Sequence, residues 1–80
     1  MIPENIKQAI DGYVQHGWRP GGFVTAVLEN DLAMAVGRAD PISYAHLKEI
    51  IIYVHWEIPG NCHGSPEAVR EWLARETTAA

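Results

Sequence analysis

Apolar residues recur along this chain with a helical period, and proline and glycine cut that period into segments. In "PENIKQAIDGYVQHG", Ile6, Ala9, Ile10, Tyr13 and Val14 fall at i, i+3, i+4, i+7 and i+8, which is one face of a helix. Pro3 suits the first helical position and Gly17 after His16 is a stop, so the pattern predicts a helix over 3–16. Gly12 lies inside it at a cost of up to about 1 kcal/mol against alanine, and leaves room for another helix to approach.

After the turn "WRPGG" a second apolar face runs through Phe23, Val24, Val27 and Leu28. "END" interrupts it. Asn30 can end one helix and Asp31 can cap the next, and Leu32, Ala35, Val36 and Ala39 resume the period. Two short helices are expected, 20–29 and 31–38, with one bent helix as the alternative.

"ADPISY" then supplies an N-cap, Asp40, and a proline at the first helical position, Pro41. From there to about Ile58 the pattern reads as one long helix, with Leu47, Ile50, Ile51, Val54 and Ile58 on one face and Leu47, Ile51, Val54 and Ile58 as its buried stripe. Its middle, "IIIYVHW", is apolar nearly all round. Ile, Val and Tyr also favour strands, but about 17 uninterrupted residues favour a helix. A helix apolar on every side is either central to its domain or covered by another chain.

Pro59 and Gly60 end that segment. Ser65, Pro66 and Glu67 form a start signal for a last helix over 66–75, carrying Val69, Trp72 and Leu73. Residues 76–80, "ETTAA", are expected to fray. The prediction is a single all-α domain over 1–80, a small bundle of four to five short helices at about 3–16, 20–29, 31–38, 41–58 and 66–75.

Composition narrows the reading. Eighty residues give one domain with a small core, and the single cysteine, Cys62, allows no internal disulfide. The N-terminus "MIPENIKQ" lacks the basic and apolar regions of a signal peptide, and the longest apolar run is far short of a membrane span. A cytoplasmic protein is expected, with one thiol suited to a reducing compartment. Ten acids against six bases give a charge of −4, and the bases are scattered singly. Without a basic stripe, nucleic acid is an unfavoured partner.

Candidate chemistry gathers at "PGNCHGSP". A nucleophilic cysteine needs a base within hydrogen-bond reach, and adjacent residues such as Cys62 and His63 seldom point at each other. The plainer reading packs Cys62 under a corner, with His63 facing water. Cys62 stays the candidate thiol, because it lies just ahead of a helix N-terminus, which can lower a thiol pKa. Metal is not expected: His16, His46, His55 and His63 lack ligand spacing, and no cofactor motif is present. Glu29 and Asp31 could form a hydrolytic pair, though capping accounts for Asp31. The aromatics carry more. With the stripe buried, Ile52, Tyr53 and Trp56 project elsewhere and form a candidate protein interface.

Together the segments "IPENIKQAIDGYVQHGWRPGGFVTAVLENDL" and "SYAHLKEIIIYVHWEIPGNCHGSPEAVREWL" resemble a group of small helical proteins encoded by bacteriophages and prophages, over about positions 2–73. "PGGF", "AVLENDL" and the closing "C-x-GSPE-x-V-x-x-W" carry the resemblance. It implies a mobile-element origin and brings no catalytic residues with it. That group carries Trp where this chain has His63, a departure that weakens a Cys–His site. The expected function is an accessory protein, not an enzyme, that binds a host or phage protein and can pair with itself as a homodimer. Modulation of host machinery or defence, including inhibition of the anti-CRISPR kind, belongs to this class. The alternatives are a redox or hydrolytic module built on Cys62, and a DNA-binding regulator with a helix-turn-helix.

Overall fold

The computed structural model describes residues 2–78, which form six α-helices and no strand. They are α1 (Glu4–His16), α2 (Gly22–Leu28), α3 (Leu32–Arg38), α4 (Pro41–Ala45), α5 (Leu47–Glu57) and α6 (Pro66–Thr78), with a 3-10 turn at Gly60–Cys62 between the last two. The small all-α bundle is the fold of the chain. Helix α6 runs to Thr78. Of the tail expected to fray, residues 76–78 are therefore helical, and 79–80 lie outside the described residues.

Local signals set most helix ends. Gly17 closes α1 in the left-handed region at φ 69°, its N–H donating to the Tyr13 carbonyl. Asn30 does the same for α2 at φ 63°. Its N–H reaches the Val27 carbonyl and that of Asp31 reaches Ala26, a paired closure that satisfies two terminal carbonyls. Asp31 then caps α3 by accepting from the Met34 N–H, so residues 20–38 form two helices rather than one bent one. Asp40 caps α4 through the Ser43 N–H at 2.6 Å, and Ser65 caps α6 through the Ala68 N–H at 3.1 Å.

Two expectations change. The segment 41–58 divides at His46, whose φ of −108° and ψ of 14° leave the helical region. The His46 N–H is shared between the Ile42 and Ser43 carbonyls, a tightened last turn, and its ring bonds Glu49 at 2.8 Å as α5 begins. In the buried stripe of this segment Ile50 takes the place expected for Ile51. Ile50, Val54 and Ile58 enter the core, Leu47 is half-buried, and Ile51 lies at the surface.

The core joins Ile6, Ile10 and Tyr13 of α1 to Val24 and Leu28 of α2, Ile50 and Val54 of α5, Ile58, Cys62, and Val69 and Leu73 of α6. Helix α2 has only seven residues yet touches α1, α3, α5 and α6. A helix that short has no stability of its own; burying Val24, Ala26 and Leu28 holds it in place. Gly12 admits no helix. A Cβ there would meet the Trp18 ring at 2.7 Å, so the close approach belongs to the side chain of the following turn.

Candidate functional site: a buried corner and an exposed helix face

The two regions marked out in the sequence are built very differently. At the corner, the Cys62 N–H donates to the Pro59 carbonyl, winding the chain inward through the 3-10 turn. Cys62 ends with no exposed surface. The Tyr13 hydroxyl donates to its carbonyl at 2.7 Å, and the Gly64 N–H donates to the Leu28 carbonyl at 2.8 Å. Trp72 of α6 donates its ring N–H to the Tyr13 carbonyl at 3.0 Å, its ring tilted against that of Tyr13. Tyr13 thus ties α1 to the corner and to α6 at once. Burial, then the neighbouring Cys62 and Glu29, push its hydroxyl well above the usual tyrosine range, so it stays a donor at any physiological pH. A fully enclosed thiol is out of a substrate's reach in this conformation, and its packing is that of a small apolar residue.

His63 does not face water as the corner reading expects. It is half-buried, and among the described residues its Nε2 is enclosed without a hydrogen-bond partner. Burial first, and then the nearby His55, hold its pKa below the ordinary histidine value. The His55 ring lies 6.1 Å away, centre to centre, and the two histidines line a cleft of about 160 Å³ with Val27, Asn30, Ile51 and Val54. This pair is the grouping that spacing in the sequence did not reveal. Eight residues that cross a turn bear no helical relation, and only the inward corner brings the rings together. Among the described residues, no three His, Cys, Asp or Glu side chains converge as a metal site would require.

Helix α5 is the opposite case. Trp56 is 74% exposed and Ile52 46%, on a helix whose other side is core. The third proposed interface residue, Tyr53, sits at the boundary. Its hydroxyl donates to Asp11 of α1 at 2.5 Å, Lys7 pairs with the other oxygen of that carboxylate at 3.0 Å, and the Lys7 ammonium stands 5.8 Å from the Tyr53 ring. Partial burial alone would raise Asp11, but the hydrogen bonds from Tyr53 and Lys7 outweigh it and hold the carboxyl low. Tyr53 is thereby a latch between α5 and α1, and Ile52 and Trp56 remain as the outward pair.

Apolar surface continues beyond α5. On α3 only Ala35 is buried; Leu32, Met34 and Val36 are exposed, as are Ile42 and Tyr44 on α4. The face of α3 expected to be buried is therefore largely open. Leu32, Ala35 and Ile51 line one small cleft, which places the α3 surface beside that of α5. With Arg38 as its cation, α3 offers chemistry for apolar contact more than for phosphate. Asp31 spends an oxygen on its cap, and it lines a shallow cleft with Glu29, Thr25 and Arg38. Another cleft of about 310 Å³, between α2 and α6, is lined by Arg19, Thr25, Glu29, Val69 and Arg70. No described helix is long and apolar enough to cross a membrane.

No family model matches this chain, and no curated protein or solved structure matches it.

Proposed function

We propose that this chain is a binding protein that acts by docking another protein on the outer face of α5. The observation that carries the reading is Trp56. A tryptophan standing largely in solvent, one turn from the exposed Ile52, on a helix whose Ile51 adjoins the apolar surface of α3, leaves uncovered what a monomer ordinarily covers. Tryptophan is also the side chain most enriched among residues that dominate binding energy. The resemblance to phage and prophage proteins supports placing it as an accessory protein of a mobile element, acting in the cytoplasm on host machinery or host defence, as anti-CRISPR inhibitors do.

Affinity capture of the tagged chain from host lysate, read by mass spectrometry beside a Trp56→Arg variant, tests this. A dominant partner lost in the variant is the expected result. An identical capture profile for both proteins would remove the α5 face from the function.

A further inference from the structure

We infer that the corner around Cys62 is an acid-released clasp: a proton on His63 parts the closure between Gly64 and Leu28 and admits solvent to Cys62. Docking on α5 is not required for it.

Nε2 of His63 is enclosed, and among the described residues it has no hydrogen-bond partner. A neutral ring tolerates that when the proton sits on Nδ1 and Nε2 is a bare lone pair. Protonation turns Nε2 into a charged N–H donor with nothing to receive it, which is far more costly to enclose. The cleft around it offers no ready acceptor. Val27, Ile51 and Val54 have no side-chain polar atom, Gly64 has given its N–H to Leu28, and Asn30 does not bond Nε2.

Among the described residues no carboxylate lines the cleft to offset the charge. The titratable group that faces His63 is His55 of α5, with the two rings 6.1 Å apart, and histidines charge over the same pH range. From α2 come Val27 and Asn30, both uncharged, while Glu29 and Asp31 on either side of Asn30 line other clefts. Burial first, and then His55, hold the folded pKa of His63 below its unfolded value. Closure is therefore at full strength above the ordinary value of 6.5 and is lost as pH falls toward the folded value.

The chain on either side directs the release. His63 is an extended residue between two anchors. Before it, Cys62 gives its N–H to Pro59, takes the Tyr13 hydroxyl on its carbonyl, and packs in the core. After it, Gly64 is tied to α2 by one N–H, donated to the Leu28 carbonyl at 2.8 Å, and has no side chain to pack. The second anchor is the weaker. When it parts, His63 and Gly64 move off the end of α2, the ring reaches water, and Cys62 loses the cover of its neighbour.

The rate at which Cys62 reacts with a dipyridyl disulfide, which thiols open in acid as well as at neutral pH, tests the clasp. Each rate is divided by that of the chain unfolded in urea at the same pH, which removes the effect of pH on the thiol itself. The ratio should rise about threefold or more between about pH 8 and about pH 5, and should stay level in His63→Gln. Amide exchange over the same range should show Gly64 losing protection while Ile50 and Val54 keep theirs, which separates release of the corner from unfolding of the bundle. The exchange data need only the parent chain, so they decide the matter even where His63→Gln does not fold. The ring C–H resonances of His63 report its proton directly. If they titrate while Cys62 and Gly64 stay protected, the cleft holds the charge in place and the clasp is overturned. A rise of the same size in His63→Gln overturns it too, as does loss of protection at Ile50 and Val54 together with Gly64.

Discussion

The stretch richest in turn residues, "PGNCHGSP", and the most apolar stretch, "IIIYVHW", exchange the places that composition alone would give them. The first winds inward until Cys62 is enclosed, held by hydrogen bonds from Tyr13 and from Gly64 to Leu28. The second turns only part of its circumference to the core and leaves Ile51, Ile52 and Trp56 outside. Polarity of residue type did not decide which was buried. Among the described residues His63 Nε2 is the one enclosed side-chain nitrogen or oxygen without a partner, so burial of the corner cost little. On α5, seven apolar residues on one short helix exceed what a core of this size can enclose. The corner uses its chemistry to hold the fold together. The helix face carries surface that the fold itself does not need.

That division can be broken from the corner side. Tyr13→Ala removes the largest fully buried side chain together with its hydrogen bond, and a loss of about 3–5 kcal/mol is expected in urea unfolding. For a domain of this size that is a large share of the total stability, about 4–12 kcal/mol. Retention of most of the stability would mean that the corner packs around a cavity without tying the helices together.

Asn30→Val tests the joint between the regions, since Asn30 ends α2 and also lines the cleft with His55 and His63. A β-branched residue at φ 63° should cost about 1–2 kcal/mol, and Asn30→Gly should be close to neutral. A smaller step is Ser65→Ala, which removes the cap of α6 beside the corner and should lower stability by about 1 kcal/mol.

Acid separates the regions without mutation. His63 binds its proton less readily when folded than when unfolded, because burial and then His55 oppose the charge. The stability it contributes is whole above the ordinary histidine pKa of 6.5 and is lost as pH falls below that toward the folded value. Asp11 is likewise held low in the folded chain, so its share disappears later, as pH falls below the ordinary aspartate value of 3.8. Unfolding followed against pH should therefore show two acid steps, and His63→Gln should flatten the upper one. An unchanged upper step would place its origin elsewhere.

Legibility in the sequence followed the range of the interactions. Gly17, Asn30, Asp31, Asp40 and Ser65 act within four residues of themselves, and each ends or begins the helix its type suggested. The break at His46 carries no proline or glycine. It comes from a shared hydrogen bond and a ring contact to Glu49, which periodicity does not register. The choice of Ile50 over Ile51 as a buried residue of α5 was equally hidden, because three successive isoleucines leave the phase of the stripe open until α2 settles against it. Tyr53 looked like a partner of Trp56 for the same reason; only the fold supplies Asp11 to take its hydroxyl. The aromatic character of the candidate site was visible in the chain, whereas the proximity of His55 to His63 required the corner to close.

The comparison turns on whether Trp56 belongs to the fold or to what the fold presents. Urea unfolding of Tyr13→Phe and Trp56→Arg side by side, at dilute chain concentration where association is absent, decides it most directly. Tyr13→Phe removes the buried hydrogen bond to the Cys62 carbonyl and should lose about 1–2 kcal/mol, while Trp56→Arg should stay within about 0.5 kcal/mol of the parent. A loss of about 2 kcal/mol or more in Trp56→Arg, with Tyr13→Phe unaffected, would make the α5 face part of the protein's own core and contradict its role as a binding surface.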